Sequence, residues 1–302
     1  MKIVFFGTPD FASSILKALS SDNYFSIVKV ISAMDKPVGR KMVFTQPDVI
    51  KTAKELLLST YQTDNVKSDN EVDKIIDECD ICVVASFGQI IPKRLLDKKR
   101  FINVHASLLP KYRGASPIQS AILYGDSETG VSIMDMDENL DTGDVLKQEK
   151  IKINDDDTAE TLFDKLATLG GSLLIDTLKN IDSIRPIKQD EMPGPIIITK
   201  KIKKEDGLIN PENIDAKSAL LKIRAMYSWP IAYMIIDNKK LQIHKATLVN
   251  DDEIDSVNEL IKQKKNKDFF VKFTNGILKL EQVKPEGKNI MTGKEYMAGH
   301  KN

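Results

Sequence analysis

Cysteine is nearly missing from this sequence: there are two in 302 residues, Cys79 and Cys82, in the tetrapeptide Cys-Asp-Ile-Cys. That spacing suggests either a redox pair or half a zinc site. A zinc site would need two further ligands at suitable spacing, and the histidines outside residue 105, His244 and His300, stand alone. Cys82 opens the apolar run ICVVASFG, so it is expected to be a packed thiol in a strand, with neither a redox role nor a metal. Long apolar runs are also lacking. None approaches the roughly 18 residues of a membrane span, and the start, MKIVFFGTPDFA, reads as a strand entering a turn rather than a cleaved leader. A cytoplasmic protein with no membrane partner is expected. Glycine is sparse where a dinucleotide fold would need it: Gly7 is the one glycine in FFGTPDF, and G-x-G-x-x-G is absent. There is no internal repeat and no low-complexity tract.

What is present suits a globular protein of two ordinary domains, 41% hydrophobic and 29% charged. The formal net charge of zero hides an asymmetry. Residues 1–190 hold 24 Lys+Arg against 29 Asp+Glu, and residues 191–302 hold 20 against 15. A basic rear half points weakly to a polyanionic partner.

The first half alternates short apolar runs (KIVFF, IVKVISAM, DICVVASFG, FINVHASLL) with helical patterns such as DFASSILKALSS and SDNEVDKIIDEC. That repetition predicts a Rossmann-like, mostly parallel sheet with flanking helices and ligands near the carboxyl ends of its strands. Ser116, Pro117 and Gln119 mark a helix start, with Gly125 as its stop. GVSIMDMD is a further strand candidate, and DTAETLFDKLATLGG is expected to be a helix closed by its glycines. The catalytic domain is expected to span 1–188. A Pro/Gly-containing, lysine-rich linker covers 189–206, and 207–302 forms an OB-like β-barrel with short strands joined by Asp-Asn and Asn-Gly turns. Trp229-Pro230 is expected in the core of that second domain.

Within FINVHASLLP, Asn103 and His105 are two apart, so a strand places both on one face and Val104 on the other. An arbitrary N-x-H would be a satisfied core histidine beside a strand-end asparagine. Here the pair precedes a proline-bounded loop at the carboxyl end of a parallel-type strand, where ligands lie. An acidic loop, DMDENLDTGDVL, could bring a carboxylate to the imidazole. It is not a calcium loop, because the sixth position from Asp135 is Leu140 and the twelfth is Leu146. Asparagine, histidine and aspartate together suit acyl transfer to an incoming amine, with no serine or cysteine nucleophile.

The segments FFGTPDFA, FGQIIP, INVHASLLPKYRGASPIQSAI, GVSIMDMDENLDTGDVL and SWP stand in the order found in the folate-dependent formyltransferases. Over nearly the whole chain the sequence resembles the branch of that family that acts on methionyl-tRNA. The resemblance implies transfer of the formyl group of 10-formyltetrahydrofolate to the methionine amine on initiator tRNA, by a monomer. It implies that Asn103 and His105 stabilise the oxyanion and that Asp141 positions His105 and assists proton removal. It further implies folate contacts from Ser107, Leu108, Leu109 and Pro110, and a pterin wall from Phe87, Gly88, Ile90 and Ile91 within Ser86–Pro92. A tRNA-contacting insertion is implied at DKPVGRKMVFTQPD, with Lys36, Arg40 and Lys41, although the run after Arg40 is less basic than in most members. The basic cluster Lys200, Lys201, Lys203 and Lys204 suits RNA backbone contact, or alternatively a solvated linker. Formylation of a small amine, and RNA binding without catalysis, are the alternatives.

Overall fold

The computed structural model describes residues 1–38, 42–249, 261–263 and 268–299. His300 and the implied tRNA contacts Arg40 and Lys41 lie outside the described residues. Two compact units are present. The first comprises Met1–Pro117, Glu128–Lys152 and Phe163–Thr199, and the second Ile118–Ser127, Ile153–Leu162 and Lys200–Asn302. The segment expected to be a linker is therefore divided at Thr199.

The strands of the first unit are Lys2–Gly7 (β1), Ser26–Ser32 (β2), Lys36–Val38 (β3), Val43–Thr45 (β4), Thr60–Gln62 (β5), Ile81–Ala85 (β6), Phe101–His105 (β7), Arg113–Gly114 (β8), Glu128–Asp135 (β9), Val145–Lys152 (β10) and Ile198–Thr199 (β11). Seven of them form one sheet in the order β10-β9-β7-β6-β1-β2-β5. From β7 to β5 all pairs are parallel, whereas β9 pairs antiparallel with both β7 and β10. The apolar runs of β1 and β6 are continuous because layers cover both faces of the sheet. One layer includes Asp10–Ser20 (α1), which buries Phe11, Ile15, Leu16 and Leu19 at helical spacing. Asp48–Glu55 (α2), Asn70–Asp77 (α3) and Lys93–Leu96 (α4) follow in the chain, and Pro117–Leu123 (α5) falls, beyond Pro117, in the second unit. This is the Rossmann-like fold expected, with two small ribbons added: β3 with β4, and β8 with β11.

The glycines of LATLGG do not close their helix. Ala159–Lys179 (α6) runs straight through Gly170 and Gly171. A Cβ on Gly170 would lie 3.0 Å from the Val104 side chain, and one on Gly171 would lie 2.8 Å from the Ala18 side chain. The two glycines let α6 seat close against the sheet and α1, and packing outweighs their low helix propensity. No helix among the described residues is long and apolar enough to cross a membrane. Cys79 and Cys82 are both buried, with their sulfurs 3.7 Å apart. Burial pushes the Cys82 thiol up, and the hydrogen bond with Cys82 holds that of Cys79 down.

The second unit has Ala216–Ala225 (α7), strands Tyr233–Ile236 (β12), Lys239–Val249 (β13), Ile261–Gln263 (β14), Phe269–Lys272 (β15), Ile277–Pro285 (β16) and Met291–Thr292 (β17), and Gly293–Gly299 (α8). Its sheet is antiparallel, in the order β12-β13-β16-β15-β14, with β17 on β16. Asp237 and Asn238 both take positive φ in the two-residue turn between β12 and β13, as that hairpin type requires. The core gathers Ile223, Leu241, Ile243, Phe269, Leu280 and Val283.

Trp229 departs from expectation: Pro230 is buried, but the indole is 51% exposed. It sits on a turn bracketed by Ser228 and Ile231, both in the left-handed region at φ 66. An aromatic residue on such a turn need not face the core. A β-branched residue at positive φ is strained, by about 1–2 kcal/mol. Ile231→Gly is therefore expected to cost under about 1 kcal/mol or to stabilise, although it deletes a whole side chain. Ile243→Ala, in the core, is expected to cost about 2–5 kcal/mol. Urea denaturation compares the two, and equal losses would contradict the strain.

Candidate active site

Strand β7 is buried along its length, including Asn103 at 8% and His105 at 6% exposure. The period of two holds: Val104 meets α6 at Gly170, and the two polar residues share the opposite face. Val84 is level with Asn103, so the segments after β6 and β7 leave the same carboxyl edge. On the other side His105 is level with Ser132 of the antiparallel β9. The site thus lies where the parallel and antiparallel parts of the sheet meet.

Asp141 comes from the loop joining β9 to β10 and holds a left-handed φ of 54. Its Oδ2 accepts a hydrogen bond from the Gly114 N–H at 2.8 Å and lies 3.7 Å from His105 Nδ1. Its Oδ1 accepts from Asn103 Nδ2 at 3.4 Å. The imidazole is fixed from behind, with Nε2 2.9 Å from the Tyr112 carbonyl. A carbonyl only accepts, so Nε2 carries its hydrogen, and Nδ1 is the nitrogen that gains or releases a second proton beside Asp141. One amide, one imidazole and one carboxylate are brought together with the donors that acyl transfer to an amine uses. Among the described residues no group of three or more His, Cys, Asp or Glu could hold a metal.

The segment Ser107–Pro110 is shaped from the antiparallel side. Ser132 Oγ, fully buried, donates to the Ser107 carbonyl at 2.6 Å and accepts from Leu109 N–H at 3.0 Å. Gln148 of β10 donates to the Leu109 carbonyl and to Ser132 Oγ, both at 2.8 Å. Ser107 Oγ donates to the Lys111 carbonyl at 2.6 Å, and Leu109 packs with Met134 and Val145. Ser107 and Leu109 thus hold the segment from within, Pro110 is buried beside them, and Leu108 packs where a Cβ on Gly130 would stand. Of the residues implied as a pterin wall, Phe87 and Ile91 are buried, with the Phe87 ring 5.4 Å from Phe6. Gly88, at φ 80, has open space at its Cβ position, and Ile90 is 57% exposed. Thr8 Oγ1 donates to the Phe87 carbonyl at 2.8 Å and fixes the start of that wall.

Sequence reasoning missed Ser132, Gln148, Arg113 and Gln189. Each acts through side-chain hydrogen bonds across 16 to 76 positions, for which no local pattern exists. Of the residues implied in tRNA contact, Lys36 is exposed on the β3–β4 ribbon of the first unit. Lys200, Lys201, Lys203 and Lys204 are exposed in the second.

The formyl transferase profile matches residues 1–178, and the formyl transferase C-terminal domain profile matches 201–301. The chain belongs to the formyl transferase family. The methionyl-tRNA formyltransferase of Caldicellulosiruptor saccharolyticus is 40% identical to it over 306 residues, covering 100% of this chain and 97% of that protein. The methionyl-tRNA formyltransferase of Staphylococcus aureus is 36% identical over the same span, with the same coverage. Two solved structures share the fold. WlaRD, a sugar 3N-formyl transferase solved with dTDP and 5-N-formyl-THF, superposes with a TM-score of 0.67 at 23% identity, covering 96% of this chain and 99% of that one. HypX from Aquifex aeolicus in complex with tetrahydrofolic acid gives 0.64 at 14% identity, covering 98% of this chain and 47% of that one.

Proposed function

We propose that this formyl transferase moves the formyl group of 10-formyltetrahydrofolate to the α-amine of methionine on initiator tRNA, for translation initiation. The observation that carries this reading is the 36–40% identity to methionyl-tRNA formyltransferases, which spans both units rather than the catalytic unit alone. The amine attacks the formyl carbon, its bond to the folate nitrogen breaks, that nitrogen takes up a proton and the amine gives one up. Asn103 Nδ2–H donates to the developing oxyanion, His105 holds or moves a proton at Nδ1, and Asp141 orients the imidazole and assists removal of the amine proton. Gly88 and Ile90 face the folate rings, and the Ser107–Pro110 segment forms the opposite wall.

The second unit is read as an OB-like barrel that presents tRNA-binding surface, supported by its antiparallel strand order and its lysines. The protein is taken to act as a monomer in the cytoplasm. A formyl-transfer assay tests the whole reading, with charged initiator tRNA and amino-sugar nucleotides offered side by side. Transfer only to the sugars would overturn it, and so would tight tRNA binding without turnover.

Neutralising Lys200, Lys201, Lys203 and Lys204 to Gln is expected to raise the tRNA KM at unchanged folate KM. The slope of log KM against log salt should flatten by up to about 0.9 for each phosphate that is no longer neutralised. An identical slope in wild type and variant would show that these lysines do not touch the phosphates.

A further inference from the structure

Gln189 lies between the two profile-matched segments, 1–178 and 201–301, in a stretch whose Pro/Gly content reads as linker. It is nonetheless 3% exposed. We propose that Gln189 is a positioning residue that sets the distance between His105 and Asp141, an inference that rests on the reading of that pair as the formyl-transfer site.

The amide of Gln189 is fully engaged. Its two Nε2 hydrogens go to the Asp141 carbonyl at 2.9 Å and the Gly143 carbonyl at 2.7 Å, and its Oε1 accepts from Arg113 Nε at 2.8 Å. These bonds fall on the two pieces of backbone that define the catalytic pair. On one side, Asp141 and Gly143 belong to the loop that carries the carboxylate. On the other, Arg113 stands between Tyr112, whose carbonyl takes His105 Nε2–H, and Gly114, whose N–H holds Asp141 Oδ2. One side chain therefore ties the histidine's anchor to the aspartate's loop.

The Arg113–Gly114 side of this tie is itself held by contacts that do not involve Gln189. Thr199 Oγ1 accepts from Ser116 N–H and donates to the Arg113 carbonyl, both at 3.0 Å, and β8 is pressed against β11. A Cβ on Gly114 would lie 2.4 Å from the Thr199 carbonyl oxygen. Asp141 itself stands at positive φ, a conformation that a non-glycine residue keeps only when its neighbours impose it. The two carbonyl acceptors on either side of Thr142 impose it here. The His105–Asp141 gap of 3.7 Å is beyond a direct hydrogen bond, so small movements of the loop change how the carboxylate meets the imidazole.

Gln189→Leu keeps the volume and deletes all three bonds. It is expected to lower kcat about 10- to 100-fold, with the KM for formyltetrahydrofolate within about threefold of wild type. The readout that a merely structural role would not move is the titration of His105, followed by NMR of the full-length protein with labelled histidine. In Gln189→Leu that midpoint is expected to move toward the one found in Asp141→Asn. Arg113→Ala, which removes the guanidinium that orients the Gln189 amide together with its aliphatic stem but leaves both Nε2 bonds of Gln189 in place, is expected to shift it the same way by less, and serves if Gln189→Leu does not fold. A wild-type His105 midpoint in folded Gln189→Leu, or in Arg113→Ala where that is the variant that folds, would overturn the proposal. If the wild type makes no formylmethionyl-tRNA, the functional reading fails separately, and the titration still decides whether Gln189 sets the pair.

Discussion

His105→Ala is expected to reduce formyl transfer by about 10²–10⁴-fold while the protein stays folded. The imidazole is buried, with Nε2 at the Tyr112 carbonyl and Nδ1 3.7 Å from the Asp141 carboxylate, so alanine leaves the proton proposed at Nδ1 with no imidazole to carry it. Asn103→Ala removes the proposed oxyanion donor, with an expected loss of about 10²–10³-fold. Asp141→Ala should lose activity by orders of magnitude too, and it leaves the Gly114 N–H without its acceptor. Asp141→Asn is the cleaner variant, because its carbonyl oxygen can still accept that bond while the charge is removed. Single-turnover kinetics with saturating co-substrate and charged tRNA isolates the chemical step. Wild-type turnover in all three alanine variants, with intact melting curves, would remove Asn103, His105 and Asp141 from the mechanism.

The second large effect is expected from one methyl group. Gly143→Ala would place a Cβ 1.9 Å from the Asp135 carbonyl oxygen and 2.9 Å from its carbon, inside the close where Asp135 N–H meets the Asp144 carbonyl. Backbone on both sides prevents relief by side-chain rotation. The end of β9 must separate from the start of the Asp141 loop, at an expected cost of about 1–3 kcal/mol. Because Gly143 lies two residues from Asp141, the carboxylate moves with it, and displacement of about 1 Å is enough for a further 10²-fold loss in rate. Gly287→Ala is the control: it stands at φ 73, with nothing within 4 Å of its Cβ position and outside the proposed site. It should cost only the left-handed conformational penalty of about 1–2 kcal/mol. Chemical denaturation and kcat measured on both variants separate the two effects. A Gly143→Ala protein as stable and active as the wild type would show that the loop yields freely.

The parts of this molecule that were legible in the sequence are those written in local patterns. Continuous apolar runs marked β1, β6 and β7, the i, i+2 spacing put Asn103 and His105 on one face, and Asp237-Asn238 marked a hairpin. What escaped depends on who the neighbour is. Gly170 and Gly171 look like a helix stop until Val104 and Ala18 are seen against them. Trp229 looks like core until its turn is seen. Gln189 looks like linker because the carbonyls it holds are 46 and 48 positions away. Composition reports the polarity of a segment but not the partner that satisfies it.

Strand β7 is a seam, and that shapes how the catalytic pair comes into being. His105 belongs to the parallel half, whose strands meet only after long crossovers have closed. Asp141 belongs to the β9–β10 hairpin, whose strands are neighbours in the chain and can pair early. Neither half alone contains a working site. The histidine and the aspartate meet only when the hairpin is docked on β7, so the pair is assembled by the joining of the two halves of the sheet rather than by either of them.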